Sequence, residues 1–269
     1  MSYKTILVNA ESSPRAQHIA GCAARIAAAE QAHVVGLAST GINQLIYQCN
    51  AVAPGVPLLP PDLTVLTDAA RQALARFTTT VTQLGAPSCE ERLTNDSLPD
   101  SLALQSRYCD LAVIGQADLL PQQLILHCPR PVLVVPREGR FDRIGARPLL
   151  AWDGGMAASR AIQAALPLLR RATLATLAVF NPTLVYAAHG EQPGADLARY
   201  LARHGVQLDV VVRETADDIG DALLSLAAET GADLLVMGCY GHTRFHELLL
   251  GGATRSILKH MTLPVLMTR

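Results

Sequence analysis

The chain is poor in aromatic residues and in charge. Of its 269 residues only 4% are Phe, Trp or Tyr, 17% are charged, and the formal net charge is −1. Without a net positive charge there is no basic field to attract nucleic acid or an anionic membrane surface. We therefore expect no nucleic-acid or membrane partner that binds through bulk electrostatics.

Long hydrophobic segments and paired cysteines are also missing. Half of the residues are apolar, but no run approaches the eighteen or so residues of a membrane span. The amino terminus enters a strand-like pattern at once, without the apolar region of a signal peptide. The six cysteines form no CxxC pair, and this spacing is typical of reduced thiols and not of a disulfide framework or a zinc site. These absences predict a soluble, cytoplasmic protein.

Several well-known catalytic and cofactor motifs are absent as well. The sequence contains no GxxxxGK[ST] phosphate loop, no GxGxxG dinucleotide fingerprint and no GxSxG nucleophile elbow. His242 and His246 are spaced as a metal-binding pair on a helix would be, but the second His of HExxH is lacking. We therefore predict no bound metal and no catalytic residue.

What the sequence does contain is an internal duplication. Segments of the first half align with segments of the second half, and the longest pair aligns without a gap. The matched pairs are Ile6–Glu30 with Pro148–Ala172, Cys109–Gly115 with Ala232–Gly238, and His127–Pro136 with His260–Arg269.

Each repeat alternates short β-branched runs with longer Ala- and Leu-rich runs, which is typical of an α/β fold with a parallel sheet. Residues 136–145 are polar and contain Pro and Gly, so they are interpreted as a linker between a first domain, 1–140, and a second, 146–269. The pattern predicts strands near 4–8, 33–39, 86–91, 111–115, 131–135, 148–152, 174–180, 207–214, 234–238 and 264–268.

A glycine-rich loop distinguishes the second repeat from the first. From Gly238 to Pro264 the chain has 26 positions, against 16 from Gly115 to Pro131. A glycine-rich turn that enters a helix at the carboxyl end of a strand exposes backbone N–H groups and the positive end of the helix dipole, which suits phosphate. The spacing alone also allows a turn that merely requires positive φ.

The residues of the glycine-rich loop and of the first strand in the second repeat resemble those of a known protein family. The pattern Gly238-x2-Gly241-x9-Gly251, closed by "PVLMTR", resembles the nucleotide-binding signature of the universal stress protein family. The strand and turn "LLAWDGG", which contains Asp153, resembles the family's first strand. The resemblance covers nearly the whole chain as two tandem domains. It implies five-stranded parallel sheets in the order 3-2-1-4-5 with helices on both faces, and an ATP or AMP site between strands 1 and 4.

The resemblance also assigns roles to individual residues. It places Asp153 beside the ribose and phosphates, lets the backbone of Val179 contact the adenine, and lines the base pocket with Met237. A bound ATP could bring a magnesium ion with it, although no metal site of the protein itself is predicted. The remaining predicted contacts are Gly238, Tyr240 and Gly241 beneath the ribose and phosphates, and Gly251, Gly252, Ala253 and Thr254 around the phosphates. Gly252 departs from the family, which usually has Ser or Thr there, so one hydroxyl donor is lost.

The first repeat is predicted to have lost the site. Glu11 stands where the second repeat has Asp153, Asp118 stands where it has the second glycine, and the rest of the loop is missing. A carboxylate that points at a phosphate site opposes anion binding. We therefore expect one nucleotide per chain, held by the second repeat, and we interpret the insert Gly41–Asp62 as a surface loop.

The resemblance implies an adenine-nucleotide-binding protein of stress response or regulation. Two other functions stay open: an interaction or small-ligand module without nucleotide, and an ATP-using adenylyl-transfer enzyme on the same fold. A catalytic role beyond slow ATP hydrolysis is not expected, since nothing in the sequence completes a phosphoryl-transfer site. The apolar fifth strands, Pro131–Val135 and Pro264–Thr268, are predicted to pair as an intrachain pseudo-dimer, and a homodimer is possible.

Overall fold

The architecture comes from a computed structural model, which describes residues 2–52, 63–185, 191–239 and 252–269. The chain divides into two compact units, which we call the first unit (Tyr3–Gly115) and the second unit (Gln116–Arg269). Both alternate strands with helices, so the predicted α/β class is confirmed.

The described part of the first unit contains these strands and helices, in chain order: β1 (Thr5–Asn9), α1 (Ala16–Glu30), β2 (His33–Ser39), α2 (Ile42–Val52), α3 (Leu63–Gln83), β3 (Ser88–Thr94), α4 (Leu98–Gln105) and β4 (Leu111–Gly115). The strands are parallel and lie in the order β3-β2-β1-β4. The apolar runs of β1, β2 and β4 are buried, as expected for strands inside a parallel sheet.

The described part of the second unit contains, in chain order, α5 (Leu120–His127), β5 (Val132–Val135), β6 (Pro148–Ala151), α6 (Met156–Leu169), β7 (Ala175–Phe180), α7 (Ala195–Arg203), β8 (Leu208–Arg213), α8 (Ile219–Thr230), β9 (Leu234–Gly238), α9 (Gly252–His260) and β10 (Val265–Thr268). Strands β8-β7-β6-β9-β10 lie side by side and are parallel, which confirms the predicted order 3-2-1-4-5.

The fifth strands of the two repeats pair with each other. β5 and β10 are antiparallel, with Leu133 opposite Leu266, and both strands are fully buried. Gln116 reinforces the pair, because its Nε2 donates to the Leu258 carbonyl near the end of α9 (2.8 Å) while its Oε1 accepts from the Arg137 amide (3.0 Å). The predicted pairing of the fifth strands is therefore confirmed. The predicted domain boundaries, 1–140 and 146–269, stay a prediction.

One carboxylate holds the start of the first strand in each repeat. Asp110 Oδ2 accepts hydrogen bonds from the amides of Lys4 (2.7 Å) and Thr5 (3.0 Å). Asp233 accepts from the three consecutive amides of residues 145–147, at 3.1, 2.8 and 2.9 Å. The two aspartates occupy matched positions of the duplicated sequence, so the duplication extends to this contact.

Two details differ from the sequence predictions. The insert after β2 was expected to be a surface loop, but its residues 42–52 form helix α2, in which none of residues 42–51 is fully buried. Strand β3 begins at Ser88, later than predicted, because Gly85 (φ +80°) and Pro87 form the turn that leaves α3. Residues 53–62 of the insert lie outside the described residues. Among the described helices none is long and apolar enough to cross a membrane.

Candidate functional site

The predicted site lies where the strand order of the second unit reverses. The chain leaves β6 toward β7 on one side, whereas β9, on the other side of β6, connects through α9 to β10. Crevices at such switch points, beyond the carboxyl ends of the strands, are the usual ligand sites of open α/β sheets. Two turns meet there in this protein: the turn from β6 into α6 and the start of α9.

Asp153 lies in the turn between β6 and α6. Its side chain is exposed, and its Oδ1 accepts a hydrogen bond from the Gly155 amide (2.8 Å). Gly154 between them has φ +74°, which a glycine adopts without strain. This Asx turn fixes the carboxylate at the carboxyl edge of the sheet, beside the amino terminus of α6. Asp153 thus lies at the carboxyl edge of the sheet, and its contact with a nucleotide stays a prediction.

Gly238 ends β9 against the first turn of α6. A Cβ built on this residue would lie 2.5 Å from the Ala157 carbonyl carbon and closer still to the Ala158 amide nitrogen. No L-residue with a side chain fits there unless backbone moves. The close approach of α6 therefore gives this glycine a packing role, which exists with or without a ligand.

The two predicted adenine contacts are core residues. Val179 in β7 is fully buried and lies opposite Val212 of β8. Met237 in β9 is 4% exposed and lies opposite Met267 of β10. Both therefore stabilise the sheet itself, and an adenine would contact them only from the carboxyl end of their strands.

The first turn of α9 packs against the residue that follows β9. Thr254 is buried and hydrogen bonds to the thiol of Cys239, which is also buried. Burial raises the pKa of the Cys239 thiol to about 12, and the hydrogen bond with Thr254 acts in the opposite direction. The Thr254 hydroxyl, predicted to donate to phosphate, thus already has a partner inside the protein.

A carboxylate that the sequence analysis missed lies beside the start of α9. Asp218 caps α8, because its Oδ1 accepts from the amides of Gly220 (2.8 Å) and Asp221 (3.3 Å). A Cβ built on Gly252 would lie 3.2 Å from the other oxygen, Oδ2. The sequence feature that could have indicated this carboxylate is the run of Asp217 and Asp218 before an apolar helix, which is typical of a helix cap. Only the structure shows that this cap faces α9.

Helices α8 and α9 start side by side. A Cβ on Gly220 would lie 2.8 Å from both the Ala253 carbonyl oxygen and the Ser256 Cβ, so a glycine is needed for this contact. One turn further, the Ser256 hydroxyl donates to Asp221 Oδ1 (2.5 Å). The first turn of α9 is therefore held by α8 on one side and by Cys239 on another.

Part of the predicted site lies outside the described residues. Tyr240, Gly241 and Gly251 belong to residues 240–251, as do both histidines of the spaced pair. Gly252 is exposed and Ala253 is half-buried at the start of α9. Among the residues that the structure describes, no group of three His, Cys, Asp or Glu side chains is arranged to hold a metal ion.

The two carboxylates of the first repeat each have polar partners of their own. Glu11 accepts hydrogen bonds from Asn9 Nδ2 (3.1 Å) and from the Ser13 hydroxyl, which holds the carboxylate at the end of β1. Asp118 forms an ion pair with Arg137. Each carboxylate is thus held by a neighbouring side chain, and the loss of the nucleotide site from the first repeat stays a prediction.

The Cys239 environment leads to a chemical prediction. A thiol whose pKa is about 12 has about a thousandth of the thiolate of an ordinary cysteine at pH 8, and thiolate is the reactive form. We expect a thiol reagent to modify Cys239 far more slowly than the partly exposed Cys49 and Cys89. Mass spectrometry of peptides after timed labelling measures the rates, with protein in guanidinium as the control. Equal rates in the folded protein would contradict the burial of Cys239.

Comparison with known proteins matches the second repeat to a protein family. The model of the "Universal stress protein family" matches residues 147–269, which include both turns of the candidate site. A universal stress protein of Synechocystis is 28% identical over 151 residues. The match covers 55% of this chain and 50% of that protein, so the chain spans about half the length of this curated relative.

Solved structures resemble nearly the whole chain. A universal stress protein from Archaeoglobus fulgidus superimposes with a TM-score of 0.70 at 13% identity, covering 100% of this chain and 97% of that one. A functionally unknown protein from Pseudomonas aeruginosa does so with a TM-score of 0.61 at 17% identity, covering 99% and 92%. At these identities the likeness shows the fold alone. The part of the chain that matches the universal stress protein family is thus the second repeat, residues 147–269.

Proposed function

We propose that the second repeat binds one adenine nucleotide, ATP or AMP, and that the protein acts through this binding in stress response or regulation. The observation that carries the proposal is the position of α9. Its first residue, Gly252, is exposed, and its first turn lies beside the end of β9 at the switch point of the sheet. A helix amino terminus in this position attracts phosphate through its free amides and its dipole.

Asp153 supports the nucleotide proposal from the other turn. Its Oδ1 is occupied by the Gly155 amide, and no other contact to its side chain is found in the described part of the chain. The second oxygen is thus oriented by the first and faces solvent, which suits an acceptor for a ribose hydroxyl. The same oxygen fits magnesium carried by ATP, since this ion prefers carboxylate oxygen and neutralises phosphate charge when bound.

The surroundings of the first turn of α9 predict a modest affinity for nucleotide. The Thr254 hydroxyl bonds to Cys239 and Gly252 has no hydroxyl, so neither of these two described residues offers phosphate a free hydroxyl. A hydrogen bond to a charged group contributes about 1.5–3 kcal/mol. Asp218 adds an opposing charge close to Gly252. We therefore expect binding weaker than in a relative that has a hydroxyl after its third glycine.

Calorimetric titration of the full chain with ATP, AMP and adenosine tests the proposal. We expect one site per chain. Asp218→Asn keeps an oxygen that can cap α8 but removes the negative charge. Two unit charges about 4 Å apart in water interact by about 1 kcal/mol, so ATP should bind about fivefold tighter to this variant. The affinity for adenosine, which has no phosphate, should not change. Gly252→Val should abolish ATP binding, because its side chain fills the space in front of the first amides. Asp142→Asn in the linker changes the net charge equally and serves as the control.

An interaction or small-ligand module remains the second candidate function, and the Asp218 carboxylate beside α9 favours it, since this group repels anions. Two results would support it over the nucleotide proposal. One is a wild-type chain that binds neither ATP nor AMP. The other is ATP binding that Gly252→Val leaves unchanged, with the melting temperature of the free variant also unchanged, which would place phosphate away from α9.

A further inference from the structure

Strand β8 forms an open edge of the sheet in the second unit. Along its inner side, the carbonyls of Gln207 and Arg213 accept from the amides of Ala175 and Asn181, both at 2.9 Å, so the odd-numbered residues face β7. Leu208, Val210 and Val212 therefore direct their N–H and C=O groups outward. Within the described ranges no other strand pairs with β8. A row of backbone groups is left for another strand.

The side chains of β8 do little to protect this edge. Val210 and Val212 are 41% and 46% exposed, and with Val211 they form a run of three valines. Edge strands of natural proteins are usually blocked by charge, proline or bulges. Strand β3, the edge of the first unit, follows this rule with Glu90, Glu91 and Arg92 in its centre. The centre of β8 is apolar and suited to pairing.

The charges of β8 match a second copy of the same strand. Asp209 and Arg213 lie two residues before and two residues after Val211. If two copies pair antiparallel about a twofold axis at Val211, Asp209 of each lies opposite Arg213 of the other. The same register sets Val210 opposite Val212, and these are the residues whose backbone groups point outward. Hydrogen bonding, apolar contact and charge thus agree on one register.

We propose that the protein forms a homodimer through antiparallel pairing of β8 with β8 of a second copy, centred on Val211. The self-complementary charge pattern favours a second copy over a foreign strand. Arg213 also bonds to Glu229 of α8 (2.7 Å), and both side chains are exposed. The dimer does not depend on nucleotide, since none of these residues belongs to the candidate nucleotide site.

Charge reversal in the full chain tests the dimer. Sedimentation velocity should show a dimer for the wild type. Asp209→Arg and Arg213→Asp each create two like-charge contacts across the axis, and each should raise the dissociation constant about tenfold or more. The double variant restores opposite charges and should restore the dimer. Glu91→Arg makes the same reversal on β3 and should leave the dimer unchanged.

Crosslinking tests the register. Val211 lies on the proposed twofold axis, so it faces Val211 of the second copy as a non-hydrogen-bonded pair. The Cα atoms of such a pair are about 4.5 Å apart, and a disulfide can span this distance. Val211→Cys should therefore crosslink under mild oxidation beyond the wild-type background, and Val210→Cys should crosslink less. The proposal is overturned by a monomeric wild type, by a dimer that neither single reversal weakens, or by preferential crosslinking of Val210→Cys.

Discussion

We expect Gly238→Ala to lower the free energy of unfolding by about 3 kcal/mol, the upper part of the range for overpacked sites. The added methyl would overlap backbone atoms of Ala157 and Ala158 in the first turn of α6, and backbone cannot rotate away as a side chain can. Either α6 must shift from the sheet or β9 must bend. Thermal unfolding followed by circular dichroism measures the loss.

The first repeat supplies a matched control. Gly115 ends β4 as Gly238 ends β9, and neither glycine has positive φ. A Cβ on Gly115 would meet Ile19 Cδ1 at 2.7 Å, the movable end of a flexible side chain. Gly115→Ala should therefore cost less than about 1 kcal/mol. If the two variants lost equal stability, contact with the α6 backbone would not be the reason for Gly238.

Asp233→Ala should have the second large effect, about 3 kcal/mol of lost unfolding free energy. It removes three charge-assisted hydrogen bonds to the amides of residues 145–147, and such bonds contribute about 1.5–3 kcal/mol each where water cannot replace them. Water will replace some at this half-exposed position, so the sum is smaller than three full bonds. Chemical denaturation monitored by the single Trp152, which follows β6, reports the loss.

Two further variants separate hydrogen bonding from side-chain packing. Asp233→Asn keeps the shape and one acceptor oxygen, so it should lose about half as much stability. Asp110→Ala in the first repeat removes two amide contacts in place of three and should cost less than Asp233→Ala. An Asn variant as unstable as the Ala variant would mean that the charge, and not the number of acceptors, stabilises the start of β6.

Most of the fold was predictable because strands and helices leave local patterns. The ten strand positions were predicted within a few residues, since buried parallel strands are short apolar runs between turn residues. Helix α2 was missed because its segment is rich in Pro and Gly beyond residue 52, and those residues obscured the helical run before them.

The candidate site was only partly predictable. The position of Asp153 follows from its place after β6, because every strand of a parallel sheet ends at the same edge. The partner of Thr254 did not follow, since Cys239 is separated from it in sequence by the glycine loop. The carboxylate of Asp218 was missed for the same reason: α8 and α9 meet through tertiary packing, which no local pattern records.

By itself, the sequence determined the duplication, the α/β class, the strand order implied by the family resemblance, and the acidic turn after β6. These follow from residue periodicity and from turn residues, which act over a few positions. Only the tertiary structure decided that Gly238 is needed against α6, that Thr254 faces Cys239 and that Asp218 lies beside α9. It also showed that, among the described strands, none pairs with the outer side of β8. Each of these contacts depends on how helices and strands from distant parts of the chain pack together. A local sequence pattern does not show which atoms of two such elements come close to each other.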